Sequence, residues 1–500
     1  MRIVTRKLLV AVTFLPALIL ASCNFPLISP YDPRLEIPFP TSSGGTPAAF
    51  GTPIPMNSRT TAPQQFTLNN GVYSYYAQSG DTLEVVARHF GVSTVLVSSP
   101  QPISPTGVLS PGQLLLIPDA IEGKFTTTNL IPDSEVIYSP SARDFNIEEY
   151  ISTQGGYLST FHQTIDEENL SSAEIIDRIS VSNSVNPRLL LALIEFRTNL
   201  VRGNPVYVNP DYPLGFSVTG YKGFYLEVAL MARLLNTGYY GWRQGFFTDL
   251  TFPDGTSVRV EPQLNAGTVG LQYLFSQVYY PQTWQETLYG VNSFPALYAE
   301  MFGDPWQRAA VVEPLITPST TQPMLELPFT PGEEWALTGG IHYDWNSGTP
   351  MGALDFAPVT GEPACSISRA WVLAPASGRI SYSDHSIVIL DVFDDQARTT
   401  GWQVFFMHIA ALDRIPEGSI VVKDDPIGHP SCEGGQATGT HFHIARRYNG
   451  EWLATGDPFP FNLGGWTAMT TSIQFQSSLI KGDQVVTSNI NGNKTSRIVR

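Results

Sequence analysis

Six of the eight histidines in this 500-residue chain fall between His342 and His443, in a stretch whose short strands are separated by Gly, Pro and Asp turns. Imidazole is the usual neutral metal ligand and the side chain that carries protons near neutral pH. The clustering therefore points to metal-assisted or acid–base chemistry. Thr440-His441-Phe442-His443-Ile444-Ala445 reads as a strand, and a period of two puts His441 and His443 on one face with Phe442 on the other.

The stretch before that pair, Asp425-Pro426-Ile427-Gly428 through Gly434-Gly435-Gln436-Ala437-Thr438-Gly439, resembles the Gly-rich approach to the paired histidines of lysostaphin-type (M23) metallopeptidases. Phe405-Phe406-Met407-His408-Ile409 resembles the strand that delivers a further active-site histidine in the same family. The common form of the family places a histidine four residues before an aspartate. Asp355 has the right context in Ala353-Leu354-Asp355-Phe356-Ala357, but position 351 is Met351. Gly339-Gly340-Ile341-His342 followed at a distance by Asp355 resembles the beta-lytic metallopeptidase branch, in which the loop from Tyr343 to Met351 would curl so that His342 reaches the metal.

The resemblance implies zinc held by His342, Asp355 and His443, with the fourth tetrahedral position left to water, and His408 and His441 at the rim moving protons. The chain would then be a zinc metalloendopeptidase cutting peptidoglycan peptides. Met351 keeps a second reading open, a catalytically inactive wall-binding or hydrolase-activating scaffold. His385, in a turn, and His429, in the loop before Cys432, lie outside the matching positions and read as surface residues.

The elements that must position this chemistry come late in a multidomain chain. Residues 1–22 combine Arg2, Arg6 and Lys7 with an apolar run too short to span a bilayer, and Leu20-Ala21-Ser22-Cys23 resembles a lipobox. That resemblance implies lipidation at Cys23, an extracytoplasmic location and a membrane anchor. With Cys23 so assigned, an exported Cys365–Cys432 disulfide is the economical reading, metal ligation by either being the alternative. Residues 23–70 are a Pro/Ser/Thr-rich tether.

Residues 71–119 read as strand, helix, helix, strand, with Asp81 placed as a helix N-cap. They resemble a LysM domain, a small α/β (βααβ) unit, which implies binding of N-acetylglucosamine-containing glycan near Gly80, Asp81 and Thr82. Residues 144–312 are mostly α by period. Asn186 to Ile194 and Leu264 to Leu271 resemble lysozyme-like lytic transglycosylases, but Arg197-Thr198 stands where that family has its catalytic Glu-Ser pair. Glu195 is two residues too early, about 200° round the helix, so the unit reads as a degenerate, non-catalytic relative with Glu195 in solvent. Residues 325–470 form the mainly antiparallel β metallopeptidase unit, and 483–500 a disordered tail. The net charge of −16 leaves no basic patch for nucleic acid.

Overall fold

A computed structural model describes residues 71–121 and 127–500. Cys23 and the signal and tether expectations lie outside the described residues. No helix among those described is long and apolar enough to cross a membrane.

The first unit pairs β1 (Val72–Tyr76) antiparallel with β2 (Leu114–Pro118) and lays α1 (Leu83–His89) across them, around a small core of its own that includes Tyr75, Val86, Phe90 and Leu115. The expected second helix is a single 3-10 turn at Thr94–Leu96. β-branched Thr94, Val95 and Val97 and the nearby Pro100 and Pro102 discourage anything longer. The N-cap of α1 is Thr82, whose side chain accepts from Val85 N. Asp81 instead accepts from Tyr75 Oη at 2.6 Å and Gln78 N at 2.7 Å.

The helical unit runs through α2 (Ile147–Gln154), a hairpin of β3 (His162–Ile165) and β4 (Glu168–Ser171), α3 (Ser172–Asn183), α4 (Pro187–Thr198) and the central α5 (Phe224–Arg243). A second hairpin, β5 (Asp249–Thr251) with β6 (Ser257–Arg259), leads to α6 (Ala266–Ser276), α7 (Pro281–Tyr289), α8 (Phe294–Phe302) and α9 (Pro305–Val312). Start signals are written locally: Ser171 and Glu174 form a capping box for α3, and Asn186 caps α4 ahead of Pro187. Glu195 is not in solvent. It is buried and accepts from Val201 N, Arg202 N and Arg202 Nε, each at 3.0 Å, which fixes the chain leaving α4.

The C-terminal unit is built on β7 (Glu334–Tyr343), β8 (Met351–Pro358), β9 (Val372–Leu373), β10 (Gly378–Asp384), β11 (Ile387–Phe393), β12 (Thr399–Met407), β13 (Ile420–Val421), β14 (Pro426–Gly428), β15 (Phe442–Tyr448) and β16 (Glu451–Trp452). β17 (Asn462–Leu463), β18 (Trp466–Ala468), β19 (Ser478–Lys481), β20 (Gln484–Thr487) and β21 (Arg497–Val499) complete it. The main antiparallel sheet has the order β13-β10-β11-β12-β15-β8-β7-β21, with β16 paired to β15. One side carries Trp335, Phe356, Phe406 and Phe442 into a common core that continues into the helical unit.

The expected disorder at 483–500 is overturned. β21 pairs along the outer edge of β7 with Ile498 buried, because an open edge of the site-bearing strand needs a partner for its backbone groups.

Candidate metal centre

Strand register puts the site together. His443 of β15 lies directly across from Asp355 of β8, while the flanking Phe442 and Phe356 pair on the opposite, apolar face. β7 completes the set through two irregularities on either side of the Gly339–Asp355 pairing, which carry His342 into register with Ala353. A Cβ on Gly339 would stand 2.2 Å from Asp355 Oδ2, and one on Gly340 would stand 2.3 Å from Ser477 N. Gly339 is therefore what lets the carboxylate lie across β7, while Gly340 admits the backbone of Ser477 on its own side. Met351 and Asp355 share a face of β8, where a same-strand ligand would stand. Here a histidine, His342, arrives instead from the neighbouring strand.

His342 Nε2 and His443 Nδ1 each lie 3.3 Å from Asp355 Oδ1, and 3.0 Å from one another. These three form a buried set whose donor atoms all lie within 4.8 Å of one another and could hold a metal ion. Each ring's other nitrogen faces a backbone carbonyl: His342 Nδ1 faces Gly340 O at 2.8 Å, and His443 Nε2 faces Asp344 O at 2.8 Å. A carbonyl only accepts, so those nitrogens carry the protons and the lone pairs of Nε2 and Nδ1 turn inward. Two lone pairs and a carboxylate then converge in a dry site, an arrangement that only a cation relieves. The residues fit a metal ion on this ground.

Burial pulls the His342 pKa down, but the Asp355 carboxylate outweighs it and the net shift is upward. Burial likewise raises Asp355, and His342, His443 and His441 together drive it well below the usual carboxylate range. A metal ion held there would have to displace any proton on His342, so metal affinity is expected to fall as pH drops through the raised His342 value. Titration by competition with a chelator between pH 8 and 5.5 checks this, and a flat profile contradicts it.

His408 and His441 stand together beside the three, ring centroids 4.4 Å apart, with His441 Nε2 4.0 Å from Asp355 Oδ1. Their Nδ1 atoms are held by carbonyls too, Glu433 O at 2.8 Å and Gly439 O at 2.7 Å. His408 directly follows β12 in the left-handed region (φ 65°), a conformation held by Ser431, whose N and Oγ both donate to His408 O. Burial, and then the neighbouring His441, push the His408 pKa down to about 3, so this imidazole is unprotonated at neutral pH.

Cys365 and Cys432 are bonded, Cα atoms 5.0 Å apart, next to the loop that carries Ser431. The closed loop spans 67 residues. Replacing both cysteines with serine should cost roughly 4 kcal/mol by the chain-entropy account, readable as a lowered denaturation midpoint; an unchanged midpoint would contradict it.

His429 is not on the surface: it is buried, tilted against Trp371 with ring centroids 3.8 Å apart, and bonded to Ala370 O. His385 is half-buried against Arg178 and Asp384. Two neighbours carried no sequence signal. Phe475 lies over the His342 ring at 4.5 Å, and Asp344 acts through its carbonyl, which any residue could supply. Gly80 and Asp81, expected to contact glycan, lie against the helical unit: a Cβ on Gly80 would stand 3.2 Å from Arg243 Nη1, and Asp81 is buried. Thr82 follows at the helix cap.

Residues 129–317 match the family model described as LasA, N-terminal domain. This covers the segment whose motifs resemble lytic transglycosylases. The chain is 24% identical over 360 residues to Protease LasA of Pseudomonas aeruginosa (strain UCBPP-PA14), covering 66% of this chain and 78% of that protein. It is 29% identical over 162 residues to the beta-lytic metalloendopeptidase of Lysobacter enzymogenes, covering 31% of this chain and 84% of that one. These relatives support a peptidase. Among solved structures, the M23 metalloprotease pseudoalterin is similar at a TM-score of 0.29 and 19% identity, over 34% of this chain and 96% of that one.

Proposed function

We propose that this chain is an exported, lipid-anchored zinc metalloendopeptidase that cuts the peptide stems or cross-bridges of peptidoglycan. The observation that carries it is the convergence of inward lone pairs from His342 and His443 on the buried Asp355 carboxylate, with two more histidines alongside. Zinc held by these three residues would supply an acidified water and a Lewis acid for a scissile carbonyl. His408 and His441, whose Nδ1 protons are tied to carbonyls, would each be left with an Nε2 lone pair able to accept a proton beside it.

The inactive-scaffold reading rested on Met351. His342 fills the role from β7, and the retention of four histidines, each oriented by its own carbonyl, has no packing purpose. The full chain incubated with purified peptidoglycan should release new amino groups, stop with chelator and resume with zinc. New reducing sugar ends without amino groups would sink the reading.

Glycan contact by the LysM-like first unit is part of this reading. With Gly80 and Asp81 turned inward, the contact is assigned to the open cleft of about 510 Å³ between the first and helical units, where exposed Tyr76 and Trp306 flank Gln78 and Gln263. Trp306→Ala and Tyr76→Ala should each measurably weaken sedimentation with peptidoglycan, since each removes a large exposed aromatic face from the cleft. Unchanged sedimentation would remove the cleft from the account.

A further inference from the structure

The metal-site loop is held from outside its own unit. Between His342 and Met351 the chain closes on itself: Asp344 N donates to Pro350 O at 2.9 Å, and Thr349 N and Oγ1 each donate to Asn346 O at 2.8 Å. Asn346 Oδ1 accepts from Gly348 N, and its Nδ2 reaches across to Asn183 Oδ1 at 2.9 Å. Asn183 is the last residue of α3, buried, and in turn fixed by its own Nδ2 to Ile179 O at 3.1 Å. Its backbone carbonyl accepts from Asn236 Nδ2 of α5 and from Trp452 Nε1 of β16. The rest of this helix end is seated as firmly. Arg447 Nη2 donates to Ser182 O, a cation at the negative end of the helix, and Ser184 Oγ donates to Gly450 O. A Cβ on Gly348 would stand 2.6 Å from Arg233 O, so the loop lies against α5 with no spare room.

We propose that the C-terminal end of α3 is a positioning element of the metal centre, with Asn183 its principal positioning residue. The link runs from Asn183 through Asn346 to the loop, and from the Asp344 carbonyl to Nε2 of His443. The helical unit thus sets the orientation of a ligand ring that it never touches. This rests on the reading of His342, Asp355 and His443 as a metal centre.

The test is zinc affinity of the full chain by chelator competition, together with the absorption spectrum of the cobalt-substituted protein, which reports ligand geometry. Partners that orient a metal ligand are worth 10- to 100-fold in affinity. Asn183→Ala and Asn346→Ala are each expected to weaken zinc about 10-fold and shift the cobalt bands. The double variant should be no weaker than either alone, because both cut one link. Ser184→Ala, which loosens the same interface away from the loop, should lower stability and leave zinc and the spectrum unchanged. Should Asn183→Ala fail to fold, Asn346→Ala decides alone. Parental affinity and spectrum in Asn346→Ala, or a loss in Ser184→Ala equal to that in Asn183→Ala, would overturn the proposal. A parent chain that binds no zinc would instead overturn the metal-centre reading beneath it.

Discussion

Replacing His342 with alanine should lower zinc affinity by more than about 100-fold, since loss of even an outer partner of a ligand costs 10- to 100-fold. Hydrolysis should be lost with it. His342 contributes the lone pair at Nε2, 3.3 Å from Asp355 Oδ1, and without it the buried carboxylate keeps only His443 at that distance. Met351→Ala is the informative partner. If the third ligand truly comes from β7, this variant loses some packing and retains zinc within a few-fold. The reverse pattern, zinc kept in His342→Ala and lost in Met351→Ala, would mean that β8 supplies the site by itself. Chelator competition on the two purified variants separates the outcomes.

The second large effect is expected at His408. His408→Asn should lower kcat by about 10²- to 10⁴-fold, the usual worth of a positioned proton acceptor, while zinc binds as in the parent. Asparagine is the better substitution here because the residue sits at φ 65°, where asparagine is tolerated and alanine is strained. A loss of zinc alongside activity would make His408 a ligand or a support of one; an unchanged kcat would pass the role to His441 alone.

The legibility of the chain followed the physics of each segment. His441 and His443 could be read because period-two alternation puts both on one face, and Phe442 on the other, wherever the strand lies. The Cys365–Cys432 bond followed from counting cysteines, and the structure contains it. Gly339-Gly340 is legible as a motif, but its causes, the Asp355 carboxylate across Gly339 and the Ser477 backbone against Gly340, lie in segments distant along the chain.

The misses share one origin, contacts distant in sequence. The segment after Asp483 reads as polar and aperiodic, yet β21 is ordered because the edge of β7 takes it as a partner. His429 carries no local burial signal, because its cover is Trp371, 58 positions away by numbering and packed against its ring. Gly80 and Asp81 follow the glycan-binding pattern of the module they resemble, but Arg243 sits at that turn. Arg243 donates to Ser79 O while pairing with Asp133 at 2.9 Å and Glu451 at 2.7 Å. One buried guanidinium thereby joins all three units, and a side chain 163 positions from Gly80 is invisible to any local reading.

The central claim is that three strands bring His342, Asp355 and His443 to one metal ion. Its most direct test is an anomalous difference map recorded at the zinc edge from crystals of the full chain grown with equimolar zinc. The account predicts one strong peak, lying between His342 Nε2, the Asp355 carboxylate and His443 Nδ1. No peak there, or a peak elsewhere with these three side chains merely bonded to one another, would contradict it.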